Sequence, residues 1–96
     1  MQVSKDNNIS IEEYIESLGI TLDDGVGYFT GDDFRTAIIG TTLEGNLVYS
    51  YQKMVEHYMN ENECDEESAR DWIDYNTLRT IPYMGDYPPI VVCEVE

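Results

Sequence analysis

One histidine, two cysteines and 20 Asp and Glu residues hold most of the reactive groups of this 96-residue chain. His57, Glu61 and Cys64 lie close together, but their spacing matches no zinc pattern and leaves a closed site one ligand short. A thiolate nucleophile needs an electropositive setting, and Cys64 sits among carboxylates. A serine nucleophile would have only His57 as its base and lacks a G-x-S-x-G context. His57 itself falls off the apolar arc of its segment, which predicts a solvated side chain.

The run Gly25-Val26-Gly27-Tyr28-Phe29-Thr30-Gly31 invites comparison with a dinucleotide-binding loop. Its third glycine arrives one residue late, no strand is evident before it, and no Lys follows. Asp23, Asp24, Asp32 and Asp33 flank it and would repel a phosphate. It reads as a turn-forming loop. An EF-hand fares no better: neither the Asp23 region nor residues 60–65 keep the register of ligands, and the second lacks the glycine. General acid catalysis needs a buried carboxyl, whereas most acids here fall on polar faces or in turns. The expectation is a protein without enzymatic activity, cofactor or metal site.

What the carboxylates do have is number. Five Lys and Arg oppose them, for a net charge of −15. The charge is not parked in a tail: residues 1–48 carry −7 and residues 49–96 carry −8. Direct nucleic-acid binding is disfavoured, since affinity for DNA rests on Lys and Arg neutralising phosphates. Anionic membranes are disfavoured by the same sign. Roughly 2–8 charges suffice to keep a small domain soluble, so the excess suggests a use: docking on a basic protein surface. The composition is 42% hydrophobic, too apolar for a disordered acidic tail.

The elements that position these acids are legible in part. Ser10-Ile11-Glu12-Glu13 is a capping box, opening a helix to about Leu18 with Gly19 as its stop. Phe34–Thr41 and Leu47–Tyr51 flank a Gly-containing turn and predict a β-hairpin. Ser50 caps a helix to about Asn60, with Tyr51, Met54, Val55, Tyr58 and Met59 on one arc. Asp65 caps another helix to about Asn76, which buries Ala69, Trp72 and Ile73. Leu78 would fall on that helix's acidic face, so the helix should unwind there or Leu78 should pack against something else, and Pro82 should end any remaining helix. Ile90–Val95 reads as a last strand. The expected fold is α+β, in the order α-β-β-α-α-β, with an antiparallel sheet covered by helices. It forms one domain over residues 1–96, with residues 1–8 poorly ordered. There is no signal-peptide h-region and no apolar run of 18 residues, which predicts a cytoplasmic protein. Cys64 and Cys93 share no motif, and a reducing cytosol predicts two free thiols.

On the helix after Asp65, the residues Glu67, Asp71 and Asp74 form a row with neighbours about 5–6 Å apart. That interval resembles a line of backbone phosphates. Glu63 and Glu66 would form its rim. Tyr83 and Tyr87, beside Pro82, Pro88 and Pro89, are candidates for an exposed aromatic contact.

The stretch from Trp72 to Gly85, followed by Pro88-Pro89-Ile90-Val91-Val92 and preceded by Val48–Glu56, resembles short acidic proteins encoded by phages and mobile elements of Firmicutes. The resemblance covers about the C-terminal half. It implies a class of role rather than a motif: such proteins include anti-CRISPR and anti-restriction inhibitors, some of which imitate DNA. The expected function is an acidic inhibitor that docks on a nucleic-acid-binding enzyme. The alternative is a structural or assembly module that forms a homo-oligomer through Tyr83–Val92, with its acidity serving only solubility.

Overall fold

The computed structural model describes residues 9–30 and 34–95. The expectation for residues 1–8 lies outside this range, as do Gly31, Asp32 and Asp33. Helix α1 (Ile11–Ser17) opens on the capping box: the Glu13 N–H donates to Ser10 Oγ, and the Ser10 N–H donates to the Glu13 carboxylate. Just beyond it Gly19 adopts φ +86°, the left-handed conformation that ends a helix.

The first predicted strand is shorter than its β-branched run. Arg35–Ala37 form a 3₁₀ turn, and β1 covers only Ile38–Thr41. Phe34 and Ala37 are both fully buried. Residues three apart eclipse in a 3₁₀ turn, whereas strand alternation would send them to opposite faces. β2 (Leu47–Ser50) pairs antiparallel with β1, and the Thr42 hydroxyl and Asn46 amide stitch the turn between them.

Helix α2 (Tyr51–Asn62) starts at the Ser50 cap, buries Met54 and Val55, and closes at Glu63, whose φ is +52°. His57 departs from expectation. It is half-buried, with its ring edge-on to Phe34 at 5.5 Å between centroids. The long apolar surface of Phe34 reaches past the arc that periodicity defines.

Helix α3 (Glu66–Trp72) starts at the Asp65 cap, whose carboxylate accepts from the Ser68 N–H. It does not simply unwind. Ile73–Thr77 form a π-turn, in which the Leu78 N–H donates to the Ile73 carbonyl five residues back. A π-turn adds one residue to the helix, which advances the inward face. Leu78, Ile81 and Met84 pack against the core, and Asn76, Thr77 and Thr80 line a depression with Phe29 and Phe34. The chain continues as a 3₁₀ helix, Leu78–Tyr83, straight through Pro82. Proline's fixed φ suits that geometry, so Pro82 does not end the helix as expected.

The last strand, β3 (Ile90–Val92), pairs parallel with β2, in register Val48 to Ile90 and Ser50 to Val92. The fold is α+β as expected, but its sheet is mixed, in the order β1-β2-β3, and only the hairpin is antiparallel. The connection from β2 to β3 carries two helices, long enough to return the chain to the end where β2 began.

The core lies between the sheet and the helices. Phe29 packs on Tyr49 at 4.8 Å and on Phe34 at 6.2 Å, and its N–H donates to the buried Tyr49 hydroxyl. Such ring pairs add about 0.5–1.5 kcal/mol beyond the area they bury. The glycine-rich loop is structural. The N–H of Gly27 donates to the Tyr87 carbonyl and that of Tyr87 to the Gly25 carbonyl, both at 2.9 Å. A Cβ on Gly27 would lie 2.2 Å from the Met84 carbonyl oxygen, and one on Gly85 would lie 2.6 Å from that of Gly25. Neither crossing admits a side chain.

Candidate functional site

The acidic face of α3 owes its position to the helical hairpin with α2. Cys64 is half-buried at the turn, and the Tyr58 and Trp72 rings stack at 4.8 Å between the helices. This pairing brings the start of α2 against the end of α3. There the Tyr51 hydroxyl donates to Asp74 at 2.8 Å, while the Arg70 guanidinium lies over the Tyr51 ring, 5.5 Å from its centroid. Burial, reinforced by the hydrogen bond to Asp74, pushes the Tyr51 phenol up to about 12.

Tyr51, Glu66, Glu67, Arg70, Asp71 and Asp74 line one open depression of about 510 Å³. Four of the five predicted acids therefore meet there. Their states differ. Glu66 pairs with Arg70 at 3.3 Å, and Asp74 accepts from Tyr51. The carboxylates of Glu67 and Asp71 engage no partner among the described residues. Both residues are exposed.

Glu63 is not among the lining residues. It is exposed and closes α2 in the left-handed conformation. The aromatic candidates lie elsewhere too. Tyr83 is 87% exposed on the last 3₁₀ turn, and Tyr87 is held through its backbone to the glycine-rich loop. Arg70 forms an ion pair with Glu66, whereas Arg79 lies over the Tyr75 ring at 4.8 Å.

Sequence reasoning placed Tyr51 on the apolar arc of α2 and missed its polar tip. A tyrosine at a helix start, with acids on the helix that packs beside it, is the signal that could have found it. A second, apolar depression of about 480 Å³ adjoins the first and shares Tyr51 and Asp74 with it. Its other walls are Leu78 and Ile81 after the π-turn, and Val91, Val92 and Cys93 at β3.

Among the described residues, no group of three or more His, Cys, Asp or Glu side chains could hold a metal ion. Cys64 and Cys93 are free thiols. No helix among the described residues is long and apolar enough to cross a membrane. No protein-family model, no curated protein and no solved structure matches this chain.

Proposed function

We propose that this protein is an acidic inhibitor or interaction protein that docks on a basic, nucleic-acid-binding protein in the cytoplasm, its α3 face taking the place of backbone phosphates. One observation carries the reading: Glu67 and Asp71 stand unpartnered in the same depression as Glu66 and Asp74. Carboxylates that serve local structure are engaged by it, whereas these two remain available to a cation from outside. A row of fixed charges steers encounter and selects a partner by its sign. The resemblance to short acidic proteins of phages and mobile elements, a class that includes anti-CRISPR inhibitors, makes a host-defence nuclease the most concrete target.

Capture from a host lysate, with the bound proteins identified at low and at high salt, tests this. Nucleic-acid-binding proteins should be retained at low salt and released at high salt. The double variant Asp71→Lys/Asp74→Lys should lose at least about tenfold in affinity for the captured protein. Unchanged affinity of that variant overturns the assignment of this face.

A second reading, a self-associating module, draws on the exposed apolar side chains of Tyr83, Tyr87 and Ile90. Light scattering separates the two readings, because a monomer at high concentration removes the module.

A further inference from the structure

The free edge of β3 is a second docking element beside the acidic face. β3 pairs with β2 on one side only, so the main-chain groups on its other side have no strand partner among the described residues. The apolar depression adjoins β3, lined there by Val91, Val92 and Cys93. Val91 and Val92 both line it, although consecutive strand residues point to opposite faces. Leu78 and Ile81 form its opposite wall.

The edge is also held in place. Before the strand, Asn46 Nδ2 donates to the Pro88 carbonyl at 2.9 Å. After it, the Gln52 amide donates to the Glu94 carbonyl and accepts from the Glu94 N–H, at 2.9 and 3.0 Å. A strand clamped at both ends loses little freedom when a partner adds to it. β1, at the other edge, carries a register shift between Ile38 and Gly40, a device that discourages strand addition.

Charge selects the occupant. Asp74 stands at the shared end of the two depressions, with Glu67 and Asp71 beyond it. A second copy of this chain would set a net charge of −15 against another −15. An extended segment bearing Lys or Arg meets the opposite sign. We propose that the β3 edge takes an extended basic segment of the partner as an added strand, its apolar side chains in the groove of Leu78, Ile81 and Val92 and its cations toward Asp74 and Asp71. Main-chain hydrogen bonds would supply affinity, and the alternating side chains specificity. This inference rests on the docking role proposed above and adds the form of the docked segment.

The test uses defined peptides and the full chain labelled for NMR. A peptide of alternating Lys and Val should shift the amide signals of residues 90–93, 78 and 81. The same peptide N-methylated along one edge should bind at least tenfold more weakly, and an alternating Glu-Val peptide should not bind. Because N-methylation leaves the protein untouched, folding does not enter the comparison. An Ile81→Lys variant should lose at least tenfold for the Lys-Val peptide with its remaining spectrum preserved. Equal binding of the N-methylated peptide, no binding of the Lys-Val peptide at millimolar concentration, or a dimer that buries residues 90–93 overturns the proposal. Peptide shifts confined to Glu67 and Asp71 overturn the strand addition alone and leave the acidic docking role standing. Shifts at β3 combined with a lysate capture that retains no basic protein have the reverse meaning.

Discussion

Helices α1 and α3 are alike on paper. Each is seven residues long, begins at a side-chain cap and carries two acids in its first turn. Their acids differ in what they do. On α1, Glu13 completes the capping box and Glu12 accepts from the Tyr28 hydroxyl, a bond that holds its carboxyl below the usual range. On α3, the Asp65 cap is held low by the Ser68 N–H, but Glu67 and Asp71 are left over. Acidity by itself therefore does not mark a site. The Glu16 carboxylate on α1 has no partner among the described residues either, and what sets Glu67 and Asp71 apart is that they share one depression with Glu66 and Asp74.

Moving the charge reversal from one helix to the other is the strongest way to break this comparison. Glu67→Lys/Asp71→Lys should weaken binding to the captured partner by about 100-fold or more, with the thermal midpoint nearly unchanged. This pair is cleaner than one that includes Asp74, which also holds Tyr51. Glu12→Lys/Glu13→Lys should do the opposite, lowering the thermal midpoint while leaving affinity within a few-fold. Equal loss from both pairs in a binding titration would mean that net charge acts, and no particular face. A smaller effect sharpens the structural side: Ser10→Ala should cost about 1 kcal/mol, read in denaturant unfolding, without touching affinity.

The smallest effect concerns the Tyr51–Asp74 hydrogen bond, which helps tie the acidic face to α2. Tyr51 is raised in the folded state to about 12, against about 10 for a free tyrosine. A raised phenol favours its neutral form, so its contribution to stability is complete below about pH 10 and is lost as pH climbs toward 12. An alkaline ultraviolet titration should show a phenol step near pH 12 in addition to that of Tyr28, which is also raised, and Tyr51→Phe should remove it. A titration in which that step survives the substitution places the late phenol elsewhere.

Which features the sequence made legible follows from the range of the forces involved. Ser10, Ser50 and Asp65 cap helices by bonding an N–H three residues away, so all three helix starts could be read locally. The hairpin turn at Thr42–Asn46 is equally local. The direction of β3 is not, because its partner in β2 lies 42 residues earlier. The π-turn at Ile73–Thr77 was hidden for another reason: a 3.6-residue period was applied across a segment that does not keep it. The apolar groove that Leu78 lines beside Asp74 was hidden with it. Of the site, the row of acids showed in their i, i+4, i+7 spacing, while Tyr51 and the apolar wall depend on contacts between elements.

The crossing of Gly27 and Gly85 has a consequence for descent. At each position an added methyl would strike the backbone of the opposing segment, which cannot swing aside as a side chain can. Relatives that retain this crossing must retain both glycines, whatever changes among their surface acids. Gly27 against Met84 and Gly85 against Gly25 thus form a mark of kinship that changes at the surface would leave in place.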